Sequence, residues 1–227
     1  MIFYRVVRAI VLSVCKVLFR VRVVGRMHVP KDGVYVVAPS HRSILDIPFA
    51  AFVTRRRIRF MAKKELFSTR FGGWLFSHLG GIPVDREATD RAALRVSVAA
   101  MEDGEPLAIF PEGTRHHGPV LGDLFDGAAY LAAKLDVPIV PVGVGGSEKI
   151  LASGKVLPRI HKVVVVVGAP VVPPPSSARR RPRSEVQGLT EVLREGLQAC
   201  FDEAQAAAGV DPPSESAAGS AERSEGA

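Results

Sequence analysis

The stretch Val36–Phe49, VVAPSHRSILDIPF, indicates both the fold of this chain and the position of a candidate site. It begins as an apolar run of strand type, and His41 and Asp46 follow before the next helical pattern. Open α/β sheets place their ligand clefts at the carboxyl ends of their strands. The two side chains therefore stand where such a fold carries its chemistry.

Short β-rich runs alternate with helical patterns, which predicts an α/β fold with a largely parallel central sheet flanked by helices. A chain of 227 residues suffices for one sizeable core, and we expect a single domain at 22–207. An amphipathic helix at 1–21 precedes it, and the tail at 208–227 has a disordered composition. The predicted strands are Arg22–His28, Val34–Ala38, Ile58–Ala62, Gly81–Val84, Leu107–Phe110, Ile139–Gly143 and Val163–Val167. The predicted helices are Ile47–Val53, Phe71–His78, Thr89–Glu102, Gly127–Leu135 and Ser184–Ala207.

The formal net charge of +7 is unevenly distributed along the chain. Residues 1–26 contain six basic side chains and no acidic one, whereas the segment from Asp202 onward is acidic. The body of the chain therefore favours anionic partners, which are lipid headgroups, phosphorylated substrates or nucleic acid. The two cysteines, Cys15 and Cys200, lie near opposite ends, which argues against a disulfide framework and indicates a reducing compartment.

The N-terminal segment MIFYRVVRAIVLSVCKVLFR is apolar but repeatedly interrupted by basic residues. Its longest uncharged run, Ala9–Cys15, is too short to cross a bilayer core, which requires about 20 apolar residues. No small-residue cleavage site follows, so a signal peptide is not expected. A helix with an apolar stripe and basic flanks suits the lipid interface, and a helix packed on its own domain is the alternative. The stripe comprises Ile2, Phe3, Val6, Ile10, Val14 and Val17.

His41 and Asp46 have the residue types of a general-base pair. A carboxylate can orient an imidazole and stabilise the imidazolium that forms when the ring accepts a proton. The alternative is that Asp46 caps a helix beginning at Ile47 while His41 is a surface loop residue. These residues alone leave both interpretations open.

A second candidate segment, AIFPEGTR at Ala108–Arg115, also follows an apolar strand. Gly113 and Thr114 can expose backbone amides in a turn, and the guanidinium of Arg115 suits a phosphate. Glu112 does not favour an anion. It indicates a hydroxyl or cationic partner, or a pairing with an arginine.

The segment LGGIPVDRE places Arg86 after a Gly-Gly turn and a short strand, where a surface ion pair is the ordinary interpretation. The sequence contains no Gly-x-Ser-x-Gly elbow, P-loop or dinucleotide fingerprint. Its arginine runs lack the interleaved aromatic residues that support nucleic-acid binding, and its histidines do not follow zinc-ligand spacing.

In this order, four segments resemble the conserved blocks of the glycerolipid acyltransferases, the family of 1-acyl-sn-glycerol-3-phosphate acyltransferase. That family carries Asn-His-x4-Asp, Gly-x-x-x-x-Arg, Phe-Pro-Glu-Gly-Thr-Arg and Val-Pro-Ile-Val-Pro-Val blocks. Here they read SHRSILD, GIPVDR, FPEGTR and VPIVPV, from Ser40 to Val142. Two departures are Ser40, where asparagine is commoner, and Asp126, where many members have a lysine.

The resemblance implies a role for each matching residue. His41 is the general base and Asp46 its orienting partner, and the acceptor hydroxyl attacks an acyl thioester without an acyl-enzyme. Arg86 and Arg115 hold the acceptor phosphate. Glu112 positions the glycerol portion of the acceptor, in a loop shaped by Gly113 and Thr114.

The implied reaction converts lysophosphatidic acid to phosphatidic acid, with acyl-CoA or acyl carrier protein as the donor. We expect no cofactor, no metal and no nucleic-acid partner. The expected location is the cytoplasmic face of the cell membrane, as a peripheral or monotopic protein. The first alternative is the same chemistry on another lysophospholipid or glycolipid acceptor. The second is a non-catalytic basic module that binds a membrane surface or nucleic acid.

Overall fold

A computed structural model describes residues 2–84, 91–150, 159–175 and 181–210 of the chain. The described residues form seven strands and seven α-helices, together with two short 3-10 helices. The strands are β1 (Arg22–Val24), β2 (Val36–Pro39), β3 (Arg59–Lys63), β4 (Gly81–Val84), β5 (Leu107–Ala108), β6 (Ile139–Gly145) and β7 (Val164–Val167). The α-helices are α1 (Ile2–Leu18), α2 (Asp46–Ala50), α3 (Arg70–His78), α4 (Arg91–Glu102), α5 (Gly127–Leu135), α6 (Ser147–Ile150) and α7 (Arg183–Ala208). The 3-10 helices are Arg26–His28 and Lys64–Phe67.

The seven strands form one sheet in the order β1-β7-β6-β2-β5-β3-β4. Adjacent strands are parallel except β6 and β7, which are antiparallel. The predicted α/β class with a largely parallel sheet is therefore confirmed. Because β2, β5, β3 and β4 run in one direction, their carboxyl ends lie along one edge.

Alternating side chains of the central strand β2 point into two cores. Val37 packs in one core with residues of α1 and α2, whereas Val36 and Ala38 pack in the other with residues of α4, α5 and α7. Successive residues of a strand face opposite sides of a sheet, so both faces are covered by helices. Val36, Val37 and Ala38 are all fully buried, as expected for a covered parallel strand.

Two predicted elements of the domain at 22–207 differ from the structure by more than two residues at one end, and its other predicted elements that the structure describes agree within two residues. The strand predicted at Arg22–His28 ends at Val24, because Gly25 has φ +74° and a Cβ there would lie 2.1 Å from the carbonyl oxygen of Val167. The helix predicted at Ile47–Val53 begins at Asp46 and ends at Ala50. The start of the helix predicted at Thr89 and most of the predicted tail lie outside the described residues.

The helix α7 lies directly against the central strands through two glycines of β6. A Cβ at Gly143 would lie 2.1 Å from the carbonyl oxygen of Cys200, and one at Gly145 would lie 2.2 Å from the backbone of Ala204. Side chains at these positions would push the helix away from the sheet. The small residues thus set the close packing of α7 on β6.

No helix within the described ranges is both long and apolar enough to cross a membrane.

Candidate active site

Two loops that carry the predicted site residues meet at the carboxyl edge of the sheet. Strands β2 and β5 are parallel neighbours, with Val36 opposite Leu107 and Val37 opposite Ala108. The segments after both strands therefore leave the sheet side by side. The backbone N–H of His116, in the second loop, donates to the carbonyl oxygen of His41, in the first, at 3.0 Å.

The side chains of His41 and Asp46 form the predicted pair. Nδ1 of His41 lies 3.2 Å from Oδ2 of Asp46, and the two side chains are 11% and 0% exposed. The same carboxylate oxygen accepts the backbone N–H groups of Arg42 and Ser43, each at 2.6 Å. Asp46 makes no capping bond to α2, whose N-cap residue is Leu45, so the capping interpretation is wrong.

The contact with Asp46 determines which nitrogen of His41 is basic. A carboxylate accepts, so Nδ1–H is the donor of the pair, and Nε2 is left with its lone pair in the neutral ring. The ring also packs against Phe110, with centroids 4.1 Å apart. Its orientation is therefore fixed from two sides, as a general base requires.

The Glu112 side chain binds the loop that carries His41 and Asp46. Its Oε1 accepts the backbone N–H of His41 at 2.8 Å, and its Oε2 accepts the backbone N–H of Gly122 at 2.9 Å. Oε2 also lies 2.8 Å from Nη1 of Arg42, and the Glu112 side chain has no exposed surface. The predicted pairing with an arginine is confirmed. Direct contact between Glu112 and an acceptor stays a prediction.

Arg42, which no sequence pattern indicated as a site residue, connects the two loops. Its guanidinium donates to Glu112, to the carbonyl oxygen of His41, and to those of Gly118 and Val120 at 3.3 and 3.0 Å. It also stacks over the ring of Phe201 in α7, with its central carbon 4.5 Å from the ring centroid. The side chain thus joins both loops of the site to the helix layer. An arginine inside SHRSILD and a glutamate inside FPEGTR were the available signal, but their separation by 70 residues conceals the contact.

The remaining predicted site residues of the second loop, Gly113, Thr114 and Arg115, are exposed to solvent. Gly113 has φ +67°, a conformation that favours glycine, and a Cβ there would lie 2.8 Å from the Phe125 ring. Thr114 and Arg115 are both exposed, so the Arg115 guanidinium is free to approach a ligand at this edge. Arg86, the other predicted phosphate ligand, lies outside the described residues. Its role stays a prediction.

The two departures from the family pattern have defined contacts. Ser40 is fully buried, and its hydroxyl oxygen accepts the backbone N–H of Val144 at 3.0 Å, which binds β2 to β6. Asp126 accepts the hydroxyl of Thr190 at 2.8 Å and follows Phe125 beside the second loop. The neighbouring Phe125 contacts the second loop, through its backbone N–H to the carbonyl oxygen of Pro111 at 2.8 Å, whereas the Asp126 carboxylate bonds to α7.

No group of three or more histidine, cysteine, aspartate or glutamate side chains within the described ranges is arranged to hold a metal ion. The site contains an imidazole oriented by a carboxylate, and an exposed arginine lies in the adjoining loop. Such a set of groups can deprotonate a hydroxyl and bind an anionic substituent of the same molecule.

The fold and site define an α/β protein in which a histidine and an aspartate contact each other after a strand, an arrangement that suits general-base catalysis. A family model described as Acyltransferase matches residues 20–145, and the chain belongs to this family.

The chain is similar to proteins named 1-acyl-sn-glycerol-3-phosphate acyltransferase from several organisms. It is 36% identical over 118 residues to one from Streptococcus pneumoniae, covering 51% of this chain and 43% of that protein. It is 31% identical over 149 residues to one from Bacillus subtilis, covering 65% of this chain and 72% of that protein. The match thus spans less than half the length of the streptococcal relative.

A solved structure has the same fold. The crystal structure of the 1-acyl-sn-glycerophosphate (LPA) acyltransferase PlsC from Thermotoga maritima superposes with a TM-score of 0.65 at 27% sequence identity. The match covers 85% of this chain and 80% of the solved chain.

Proposed function

We propose that this chain is an O-acyltransferase that acylates 1-acyl-sn-glycerol-3-phosphate at its free hydroxyl to give phosphatidic acid. The observation that carries the proposal is the contact between Nδ1 of His41 and Oδ2 of Asp46 at the sheet edge. The names of the similar proteins support the choice of acceptor. The donor is an acyl thioester, either acyl-CoA or acyl carrier protein.

The reaction needs one base and no covalent enzyme intermediate. Nε2 of His41 accepts the proton of the acceptor hydroxyl while its oxygen attacks the thioester carbonyl carbon. The carbon–oxygen bond forms and the carbon–sulfur bond breaks. The imidazolium, stabilised by Asp46, then returns the proton to the departing thiolate. We expect neither a metal nor a cofactor to take part in this reaction.

The exposed loop after β5 serves the acceptor. Arg115 binds its phosphate, with Arg86 as the second cation. Gly113 and Thr114 shape the turn that presents Arg115, and Glu112 fixes the loop against the His41 segment through Arg42. A direct contact of Glu112 with the glycerol portion requires this buried carboxylate to exchange one of its present partners.

The acceptor is a lipid, and the outward side of α1 fits a membrane surface. Ile2, Ile10 and Val17 are 80%, 58% and 76% exposed on that side. The inward side packs on the domain through Tyr4 and Cys15, and through the guanidinium of Arg8, which donates to backbone carbonyl groups after α2. The helix thus packs on its own domain and also presents an apolar stripe. We place it in the lipid interface at the cytoplasmic face of the cell membrane.

The position of Asp126 favours one further candidate, which is the same reaction on another lysophospholipid or glycolipid. Asp126 follows Phe125, which contacts the second loop, and it supplies a negative charge where the family pattern has a lysine, which makes the region less favourable for an acceptor phosphate.

Thiol release from an acyl thioester, measured against a panel of acceptors, tests the proposal. We expect the highest kcat/KM with 1-acyl-sn-glycerol-3-phosphate and much lower values with lysophosphatidylcholine and a monoacyl glycolipid. Equal values with and without the terminal phosphate would overturn the assignment of the acceptor. Absence of thiol release with every acceptor would favour a non-catalytic membrane-surface module.

A further inference from the structure

The helix α3 presents aromatic rings to solvent. Phe71, Trp74 and His78 follow the spacing i, i+3, i+7, which places them on one side of the helix, and all three are exposed. Phe71 is 70% exposed and Trp74 is 46% exposed, whereas the neighbouring Gly72 is buried. The side of α3 that faces away from the domain is thus its aromatic side. Such a patch marks an interaction surface.

Ring contacts join this side of α3 to the outward stripe of α1. The Phe3 ring centroid lies 4.8 Å from that of Trp74 and 5.8 Å from that of His78. The Phe71 and Trp74 centroids are 6.3 Å apart. Phe3 belongs to the α1 stripe that also contains Ile10. We call the α1 stripe together with Phe71 and Trp74 the outer apolar surface.

The two chain segments that carry the outer apolar surface are basic. Residues 54–78, which include α3, contain seven arginine and lysine residues and one acidic residue, Glu65. Residues 2–26, which include α1, contain six basic residues and no acidic one. A second copy of the chain would bring like charges together at this surface, whereas anionic headgroups would neutralise them. The charge therefore selects an anionic bilayer as the occupant.

We propose that Phe71 and Trp74 enter the interfacial layer of an anionic bilayer together with α1, so that the chain contacts the membrane through two helices. Aromatic rings favour this layer because one side of it is apolar and the other is hydrated. The inference rests on the proposed function insofar as that function requires a lipid acceptor.

Contact through two helices also restricts the orientation of the domain. One helix lying in the interface leaves rotation about its own axis free, and a second contact beside it removes that freedom. The helix α3 begins after β3, whose carboxyl end lies at the same sheet edge as His41. The aromatic side of α3 thus fixes how this edge meets the bilayer.

The fluorescence of Trp74 tests the proposal directly, because it is the single tryptophan of the chain. The full chain is mixed with vesicles of phosphatidylcholine and phosphatidylglycerol, and with matched vesicles whose acyl chains carry bromine at defined depths. We expect the Trp74 emission to shift to shorter wavelength. We also expect quenching to be strongest with bromine close to the headgroups.

A pair of matched variants measures how much α3 contributes. Phe71→Ser should lower the vesicle partition coefficient by about tenfold, because an exposed aromatic side chain loses its burial in lipid. Val192→Ser, at an exposed apolar position of α7 on the opposite layer, should leave it unchanged. Both positions are exposed, so both variants should keep the thermal unfolding midpoint of the wild type.

Two results would overturn the proposal. The first is vesicle binding without any shift or quenching of Trp74 emission, which would leave α1 as the contacting element. The second is a lipid-free dimer that Phe71→Ser dissociates, which would make a second copy the occupant. Acylation of lysophosphatidic acid in detergent is measured separately. If it fails while Trp74 still inserts, the proposed function is wrong and the second membrane contact stands.

Discussion

Nη1 of Arg42 lies 2.8 Å from Oε2 of Glu112, and neither side chain has any exposed surface. This buried ion pair joins the loop that carries His41 to the loop that carries Arg115. The proposed base and the proposed phosphate ligand therefore lie in two loops that this ion pair holds together. A displacement of either loop would change the distance between them, and catalysis depends on holding two reactants in a fixed relative position.

Glu112→Gln should destabilise the protein strongly. The substitution preserves shape but leaves the Arg42 guanidinium buried without a counter-charge, and such a loss costs about 3–5 kcal/mol. Urea unfolding followed by circular dichroism measures the change in the free energy of unfolding.

Glu105→Gln is the matched control for this prediction. Glu105 pairs with Arg57 at 3.1 Å, and both side chains are partly exposed. Its loss should cost about 1 kcal/mol or less, as for other solvent-accessible ion pairs. Equal costs for the two variants would show that the Arg42–Glu112 pair does not hold the site together.

Asp46→Asn should lower turnover by about 10²- to 10⁴-fold with little change in the acceptor KM. The amide oxygen can still accept the backbone N–H groups of Arg42 and Ser43, so the loop is retained. The negative charge that stabilises the His41 imidazolium is lost. Steady-state kinetics separates the two parameters, and a variant that changes KM while keeping kcat would assign Asp46 to binding instead.

Arg115→Ala should raise the acceptor KM by about 10- to 100-fold, because a hydrogen bond from a charged group contributes about 1.5–3 kcal/mol. The exposed position predicts no change in stability. Arg183→Ala, at an exposed arginine of α7 outside the basic segments 2–26 and 54–78, serves as the control for net charge. The phosphate assignment is wrong if both variants leave KM at the wild-type value.

The Cys200 thiol should lower the free energy of unfolding at alkaline pH. Burial raises its pKa to about 11 from an ordinary value of 9.0, and Glu203 adds to the rise. The unfolded state therefore loses this proton first as the pH increases, so stability that is present below about pH 9 is lost progressively towards pH 11.

Cys200→Ala removes this titration and should flatten the decline in the free energy of unfolding across that interval. Urea unfolding at a series of pH values measures it. If the free energy of unfolding declined with pH equally steeply in wild type and variant, the assignment of this decline to Cys200 would be wrong. Burial also raises the pKa of Cys15, so Cys15→Ala should act in the same direction.

The fold was predictable because the hydrophobic pattern of each strand and helix can be recognised in its own local sequence. The strand Gly81–Val84 and the helix Gly127–Leu135 agree with the structure at both ends. The largest error, four residues at the end of β1, occurred where a long-range contact ends the strand. The strand after Arg22 stops at Val24 because Gly25 lies against the backbone of Val167, a contact that no local pattern encodes.

The candidate site was predictable where its residues lie close together in the sequence. His41 and Asp46 are five residues apart, and their contact follows from one tight loop. Arg42 was missed because its partners Glu112, Gly118 and Val120 come from a loop that only the pairing of β2 with β5 brings near. For the same reason the sequence left the partner of Glu112 open, and only the structure shows that it is Arg42.

Thiol release from an acyl thioester with lysophosphatidic acid, compared between wild type and His41→Ala, tests the central claim most directly. The account predicts a fall in kcat of about 10²- to 10⁴-fold, because the proton acceptor is removed. Stability should change little, since the Asp46 carboxylate keeps its two backbone donors. An unchanged kcat in a folded His41→Ala variant would contradict the assignment of His41 as the base.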